Sequence, residues 1–398
     1  MQEFLTRAGL SEVVNQPLFI HVAGTNGKGS VTEFVQSLLI AHGYQTGGYF
    51  SPYVYDLRER VQFNHEPIPE DDFARIATAL RPIGDELEST DFGGPTEFEF
   101  KTAVGFAYWT ERQADFVSLE VGLGGRLDAT NVVTPAVAAI VSIGLDHTAI
   151  LGNSIAEIAY EKAGIIKSGR PVVVGGLQPE AMDVVNEQVQ SMGVPVFRWG
   201  HEFHSKWHGE RLNIQTPLST YEDLEIGLYG QIQGQNAAIA VMSLEAAGIA
   251  LAADSVRSGL ASAKIPGRFE VVQWKGKTVI LDGAHNLEAM REFVDSFKSR
   301  FLGQKAAVIT NMVQGHSFER LYTPLLDVAD RVVVAPIKFH RALEPEQVAG
   351  HLRQFVATET ATSIEDALER VLASNQNLVI VTGSFYLVGE IGNAIRAR

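Results

Sequence analysis

Short apolar segments rich in β-branched residues alternate with amphipathic segments along this chain, and this alternation limits the fold more than any other sequence feature. The apolar segments predict buried strands over residues 18–24, 115–121, 136–143 and 171–175. The segments between them predict helices over residues 30–42, 98–112 and 155–166. Such an exchange of strands and helices is typical of an α/β protein whose mainly parallel sheet is covered by helices.

The pattern starts again near Pro266 and Gly267, a pair of residues that commonly marks a boundary. Beyond it, further strands are predicted over residues 278–282, 306–310, 331–335 and 378–382. Helices are predicted between them over residues 288–297 and 364–373. We therefore expect a larger domain over residues 1–265 and a smaller, Rossmann-like α/β domain over residues 266–398. The polar and aromatic stretch 197–228 favours antiparallel strands.

Charge and composition exclude several classes of function. The net charge of −15 (32 Lys and Arg against 47 Asp and Glu) disfavours nucleic-acid and anionic-membrane partners. Zero cysteines exclude disulfides, thiolate metal sites and a cysteine nucleophile, and are typical of a reducing compartment. The sequence has no signal-peptide pattern and no apolar run of about 18 residues. We expect a soluble, cytoplasmic monomer, since no heptad repeat indicates self-association.

A glycine-rich loop follows the first predicted strand and precedes a predicted helix, which is the arrangement that a phosphate-binding loop requires. Its residues are Gly24, Thr25, Asn26, Gly27, Lys28, Gly29 and Ser30. Glycines allow backbone N–H groups to face an anion, the helix start favours negative charge, and lysine reaches the outer phosphates. The loop departs from the common pattern, because two residues separate its first glycines and Gly29 lies between Lys28 and Ser30. A glycine turn capped by Ser30 is the simpler alternative.

Eight further segments stand in one family's order. They are FSP (50–52), PTEFE (95–99), EVGLGGRLDATN (120–131), LDHT (145–148), EKAGI (161–165), PGRF (266–269), DGAHN (282–286) and TGSF (382–385). Together with the loop, they make the chain resemble the Mur-type amide ligases, and within them the folylpolyglutamate synthase/dihydrofolate synthase family. The resemblance covers most of the chain and implies a P-loop ATPase-like first domain and a glutamate-ligase second domain.

The resemblance also implies the reaction. A folate carboxylate attacks the γ-phosphate of ATP to give an acyl phosphate, and the amine of L-glutamate then displaces phosphate to form an amide. The small-molecule partners would be ATP, L-glutamate and a reduced folate or dihydropteroate. The protein would position these anions and neutralise their charge through Lys28, Arg126, Arg268 and Mg²⁺.

Three metal-ligand positions, Ser51, Glu120 and His147, are implied by the same resemblance. Glu120 ends a predicted parallel strand, where a carboxylate can reach a ligand crevice, whereas histidine is an unusual ligand for magnesium. By itself, His147 indicates a loop cap. Periodicity places Lys162 as a solvated lysine near a helix end, but the family implies that it is carbamylated and helps to hold a second Mg²⁺ ion.

The remaining implied contacts concern the folate and the nucleotide. Those to the pteroate portion are Thr96, Phe98, Arg126, Leu127, Asp128 and Ala129. Core packing on a helix is the alternative for Phe98. Those to ATP outside the loop are Asn236, Arg268 and Asp282, and His285 is expected near a ligand.

Three alternatives bear on the function. A cell-wall Mur ligase carries a further N-terminal domain, for which 23 residues before Gly24 leave no room. An ATPase or binding module without ligase activity would hydrolyse ATP without glutamate. The choice between a monofunctional and a bifunctional enzyme stays open, because bifunctional family members commonly have a longer N-terminal segment for dihydropteroate and little beyond residues 4–10 precedes Asn15-Gln16-Pro17 here. We expect polyglutamylation as the dominant activity and dihydrofolate synthesis as a second candidate. Leu287 stands where the family generally has proline.

Overall fold

The computed structural model describes residues 1–12, 14, 18–315 and 318–397, so the segment at residues 15–17 lies outside the described residues. The chain divides into two compact units, each built from separate stretches of sequence. The first comprises Met1–Tyr53, Leu57–Gly227 and Gln233–Lys264. The second comprises Val54–Asp56, Leu228–Ile232 and Ile265–Arg398.

An eight-stranded sheet organises the described part of the first unit. Its strands are β1 (Leu18–Ala23), β2 (Thr46–Tyr49), β3 (Val61–Phe63), β4 (Glu66–Pro67), β5 (Phe116–Glu120), β6 (Val137–Ile140), β7 (Val172–Val174) and β8 (Val196–Arg198). The spatial order is β4-β3-β2-β5-β1-β6-β7-β8, with parallel pairing from β2 to β8. The mainly parallel sheet is confirmed, and β3 and β4 add an antiparallel edge that the sequence pattern did not predict.

Helices cover this sheet. They are α1 (Gln2–Arg7), α2 (Lys28–Ala41), α3 (Glu70–Glu88), α4 (Glu97–Glu111), α5 (Thr148–Leu151), α6 (Ile155–Ala163), α7 (Pro179–Met192), α8 (Gln233–Ala246) and α9 (Ala253–Ser262). One buried cluster joins Phe19, Tyr49 and Trp109, and another joins Ile140 and Val185. A separate three-stranded antiparallel sheet contains β9 (His204–His208), β10 (Arg211–Gln215) and β11 (Thr220–Leu224), as expected for stretch 197–228.

The second unit is a smaller α/β unit. Its strands are β12 (Glu270–Trp274), β13 (Lys277–Leu281), β14 (Ala306–Thr310), β15 (Ala329–Val334), β16 (Ala357–Thr360) and β17 (Leu378–Thr382). Their order is β12-β13-β17-β14-β15-β16, and among the described pairings of this sheet β12–β13 is antiparallel and the others are parallel. The helices are α10 (Leu287–Arg300), α11 (Phe318–Tyr322), α12 (Pro345–Leu352), α13 (Ile364–Leu372) and α14 (Phe385–Arg396). The predicted α/β class is confirmed.

Two further observations concern individual helices. Helix α10 begins at Leu287 without a proline, because the Asn286 side chain caps it by accepting the Ala289 N–H at 2.9 Å. None of the described helices is both long and apolar enough to cross a membrane.

Candidate functional site

The glycine loop joins β1, a central strand of the parallel sheet, to the start of α2. Gly27 has a φ of +80°, and a Cβ atom there would lie 2.9 Å from both Asn236 Oδ1 and Val141 Cγ1. The Val31 N–H donates to the Gly27 carbonyl at 3.0 Å, so the N–H groups that precede it in α2 lie beyond the intrahelical hydrogen bonds. A loop of this conformation at a helix start fits a phosphate group.

Two lysines contact the backbone of this loop. The Lys28 ammonium donates to the Thr25 carbonyl at 3.1 Å, and the Lys162 ammonium donates to the Gly24 carbonyl at 2.9 Å. Lys162 is 4% exposed, and burial, assisted by the charge of Lys28, lowers its pKa to about 7. The expectation of a solvated Lys162 from helical periodicity is therefore wrong, because the side chain reaches the loop from the last turn of α6.

The Glu120 carboxylate at the end of β5 contacts Ser51, which follows β2 in the same sheet. Glu120 is the last residue of β5 and is 2% exposed, and its Oε2 accepts the Ser51 N–H at 2.8 Å. Mg²⁺ is commonly held by one or two carboxylates together with substrate phosphates and water. A buried carboxylate with a neighbouring hydroxyl therefore fits such an ion.

His147 stands at a different position, at the start of the short helix α5. Its φ is +49°, its side chain is half exposed, and its N–H donates to Asp146 Oδ1 at 2.7 Å. Within the described ranges, no cluster of three or more His, Asp and Glu side chains has the spacing of a metal site. The expected trio of Ser51, Glu120 and His147 contains one carboxylate and one imidazole, so it does not by itself make such a cluster.

One of the segments expected to contact pteroate, which carries Phe98, packs on Gly122 in the turn that precedes the other segment. Thr96 caps α4 in a reciprocal pair with Glu99, which fixes the start of the helix that carries Phe98. A Cβ atom on residue 122 would overlap the Phe98 ring, so this ring packs directly on the turn that follows Glu120. The Phe98 ring is half buried at the edge of the core, where packing and ligand contact are compatible.

The residues that follow this turn have different exposures. Arg126 is paired with Glu161 at 2.8 Å, so part of the positive potential expected from it is offset. Leu127 is 78% exposed, whereas Ala129 is buried. The Asp128 side chain turns inward, and burial raises the pKa of its carboxyl group.

Asn236 approaches the glycine loop from α8. It is 1% exposed, its Nδ2 donates to Gln233 Oε1 at 3.0 Å, and its Oδ1 has no hydrogen-bond partner in the described part of the chain. This oxygen faces Gly27, as the short distance to a Cβ there indicates. The structure therefore places Asn236 beside the loop, with its buried Oδ1 able to accept a hydrogen bond.

Three of the sequence motifs lie in the second unit and are joined there by hydrogen bonds. Gly283 N–H donates to the Gly267 carbonyl at 2.8 Å, and Gly383 N–H donates to the Ala284 carbonyl at 3.1 Å. Asp282 Oδ2 accepts the Phe269 N–H at 2.8 Å. The PGRF, DGAHN and TGSF segments, which are far apart in sequence, thus form one structural cluster.

The polar side chains of this cluster surround Phe385. The Arg268 guanidinium lies 4.4 Å from its ring centroid, and the His285 ring lies 5.7 Å away. His285 Nδ1 is 2.8 Å from the Gly283 carbonyl, to which it donates. Burial raises the pKa of the Asp282 carboxyl group, and the charge of Arg268 opposes that shift.

The sequence analysis did not identify Arg60 and Ser142, two residues of the first unit that contact the candidate site residues Ser51 and Asn26. Arg60 is buried, with its guanidinium 5.1 Å from the Phe98 ring centroid and Nη1 3.4 Å from Ser51 Oγ. Ser142 bonds the backbone of Asn26. The position of Ser142 just beyond β6, where parallel strands present ligand-facing residues, was a signal that could have identified it.

The chain is similar to known proteins over most of its length. Residues 267–385 match the family model described as Mur ligase, glutamate ligase domain. The chain is 36% identical to a dihydrofolate synthase/folylpolyglutamate synthase from Bacillus subtilis, covering 100% of this chain and 94% of the relative. It is 33% identical to a folylpolyglutamate synthase from Lacticaseibacillus casei, covering 94% and 89%. The structure of Escherichia coli FolC in complex with DHPP and ADP is similar with a TM-score of 0.91 at 31% identity, covering 100% and 93%.

Proposed function

Because this chain belongs to the folylpolyglutamate synthase/dihydrofolate synthase family of Mur-type, ATP-dependent ligases, we propose that it joins L-glutamate to the carboxylate of a folate. The observation that carries this proposal is the glycine loop on which Lys28 and Lys162 both bond, together with the buried Glu120 carboxylate at the end of β5. Polyglutamylation of a reduced folate is the dominant activity in this proposal. Addition of glutamate to dihydropteroate is the second candidate, favoured by the double name of the B. subtilis relative.

The first step activates the folate. Its carboxylate oxygen attacks the γ-phosphorus of ATP, the bond to the β-phosphate oxygen breaks, and an acyl phosphate and ADP result. The phosphates rest on the N–H groups at the start of α2, and Lys28 swings from the Thr25 carbonyl to the outer phosphates. Asn236 and the remaining loop residues Gly24 to Ser30 position the nucleotide, while Thr96, Phe98 and the segment 126–129 hold the pteroate portion.

Two Mg²⁺ ions accompany ATP in this proposal. Ser51 and Glu120 would hold one, with His147 as the third ligand, and its charge would offset that of the phosphate oxygens. Lys162 would serve the second after carbamylation, in which its neutral amine adds to CO₂, forms an N–C bond and releases a proton. The lowered pKa of Lys162 supports this step by making neutral amine available near pH 7. Native mass spectrometry would detect the added carboxylate, and an unmodified mass would contradict it.

The second step forms the amide. The amine of L-glutamate attacks the acyl carbon, a tetrahedral intermediate collapses, and the phosphate leaves. We assign ATP binding to residues 1–265 and the glutamate-ligase role to residues 266–398, the part that contains the match to the glutamate ligase domain. Arg268 and Asp282 are assigned to the nucleotide, and His285 is assigned near a ligand. The proposal includes a cytoplasmic monomer, in keeping with the absence of cysteine.

Phosphate release tests the proposal directly. Purified protein is supplied with ATP, Mg²⁺ and L-glutamate, and either a tetrahydrofolate or dihydropteroate as acceptor. We expect release that requires both glutamate and acceptor and is faster with the tetrahydrofolate, with the glutamylated product detected by mass. Hydrolysis at full rate without glutamate would favour an ATPase, and faster release with dihydropteroate would make dihydrofolate synthesis the main activity.

A further inference from the structure

A buried histidine lies in the strand that leads into the phosphate loop. His21 is in the middle of β1, paired with Leu119 of β5 on one side and Ala138 of β6 on the other, and it is 0% exposed. Its Nε2 lies 2.8 Å from the hydroxyl of Thr130, which is itself fully buried. Its Nδ1 has no hydrogen-bond partner among the described residues. A buried polar atom without a hydrogen-bond partner destabilises the fold, so an imidazole with one unpaired nitrogen is unfavourable as core packing alone.

The hydrogen-bond directions in this chain of groups follow from the number of protons. Thr130 has one hydroxyl proton, and its oxygen lies 2.5 Å from Asp128 Oδ1. The same Oδ1 accepts the Thr130 N–H at 2.9 Å, and Oδ2 accepts the Leu123 N–H at 2.9 Å, so the carboxylate is an acceptor on both oxygens. The hydroxyl therefore donates to Asp128, and its lone pair accepts from His21. His21 must carry its proton on Nε2.

This assignment agrees with the surroundings of the imidazole. Burial lowers the pKa of His21 to about 3, with a smaller effect from the charge of Lys167, so the ring stays neutral over the working pH range. The neutral ring has one donor and one acceptor, and the donor is the nitrogen that faces Thr130. The acceptor is then Nδ1, which has no hydrogen-bond partner among the described residues.

We propose that His21 is a positioning residue for the folate acceptor, acting through Thr130 and Asp128 on segment 126–129. Asp128 caps the 3₁₀ turn Ala129–Val132 and also holds the Leu123 N–H of the glycine turn. A fixed donor at His21 therefore fixes the Thr130 proton, which fixes the Asp128 carboxylate and with it the turns on both sides. The inference rests on the proposed function, because only a folate acceptor makes segment 126–129 part of the site.

Steady-state kinetics of three variants test this role. In His21→Leu we expect the KM for the tetrahydrofolate acceptor to rise about tenfold, the equivalent of one lost hydrogen bond, with kcat and the KM for ATP within about twofold. His21→Gln places an amide N–H near the position of Nε2 and should restore most of the affinity. The exposed His201→Gln serves as the control and should match the wild type. An unchanged acceptor KM in His21→Leu would overturn the proposal.

A direct measurement covers the case in which His21→Leu does not fold. In the ¹⁵N spectrum of ring-labelled wild-type protein, assigned by the signal missing from His21→Gln, His21 should show a protonated Nε2 and a bare Nδ1. A protonated Nδ1 would overturn the proposal even if the kinetics agreed. Wild-type protein that shows no folate-dependent turnover would instead overturn the proposed function, while the spectrum would still report the proton position.

Discussion

The Ser142 hydroxyl holds the backbone of Asn26 from both sides, accepting its N–H at 2.9 Å and donating to its carbonyl at 2.8 Å. The adjacent Thr25 N–H donates to the Ser142 carbonyl at 2.8 Å, and the Thr25 hydroxyl exchanges hydrogen bonds with the backbone of Gly144. N–H groups used in this way do not face an anion. We therefore expect residues 27–30 to contact the phosphates and residues 25–26 to brace the loop against the end of β6.

Replacing Ser142 with alanine should weaken ATP binding. The variant loses both hydrogen bonds to Asn26, each worth about 1 kcal/mol, so the KM for ATP should rise by up to about 30-fold while kcat changes less. Initial rates against ATP concentration measure this. Ser191→Ala, which removes a hydroxyl bonded to the Gln188 carbonyl on a surface helix, is the control and should leave the KM unchanged. Equal values for the two variants would contradict the bracing role.

Gly27→Ala should weaken ATP binding more than its backbone strain alone would. An alanine at a φ of +80° costs about 1–2 kcal/mol, and its Cβ would also press on Asn236 and Val141. Gly169→Ala is a matched control, because Gly169 has a φ of +71° and nothing within 4 Å of the added atom. We expect both variants to lose stability, but only Gly27→Ala to lose ATP affinity in equilibrium binding. Equal ATP affinities of the two variants would contradict this prediction, because they would mean that Asn236 and Val141 move aside without any loss of ATP binding.

Lys28→Ala should nearly abolish turnover and leave the fold intact. The ammonium donates to a carbonyl of the glycine loop, where we propose that the phosphates bind, and loss of one such charge typically slows a reaction about 100- to 1,000-fold. Glutamate-dependent phosphate release measures kcat, and circular dichroism reports the fold. Lys206→Ala on the exposed face of β9 controls for the loss of a positive charge. Near-normal turnover would refute the role of Lys28.

Much of the fold could be predicted because its strands are buried on both faces. β1 and β5 are mostly apolar and almost entirely buried, and the sequence pattern placed their ends within one or two residues. The edge strands β3 and β4 were missed, because three and two residues are too few to show alternation. The stretches Val54–Asp56 and Leu228–Ile232, which join the second unit from distant parts of the chain, have no local signal.

The candidate site could be predicted from the sequence where the residue types and their spacing both point to one chemistry. Glycines and a lysine between a strand and a helix identified the loop at Lys28 from physical reasons alone, whereas Glu120 and Asn236 became candidates only through the family resemblance. The burial of Lys162 could not be predicted, since helical periodicity records polarity along α6 and not the loop that packs on it. His21 reads as one polar residue in an apolar strand, and only its distance to Thr130 gives it a partner.

Glu33 should make the first unit less stable as the pH rises. This carboxyl group is 3% exposed on α2, accepts the Lys264 N–H at 3.1 Å and the Ser37 hydroxyl at 3.1 Å, and lies 3.6 Å from the His65 ring. Burial raises its pKa to about 7 from an ordinary value of 4.5. A raised pKa means that the folded state holds the proton of Glu33 more tightly than the unfolded state does. The stabilisation from this proton is therefore full below pH 4.5 and is lost as the pH rises to about 7.

Glu33→Gln tests this effect, because glutamine keeps an acceptor for the Lys264 N–H and stays neutral. Between pH 5 and pH 8, the free energy of unfolding of the wild type should fall by about 2–3 kcal/mol more than that of the variant. Urea unfolding at several pH values measures the difference. Glu210→Gln, on an exposed turn, is the control and should follow the wild type. Parallel pH curves for wild type and Glu33→Gln would mean that Glu33 is ionised in the folded protein across this range.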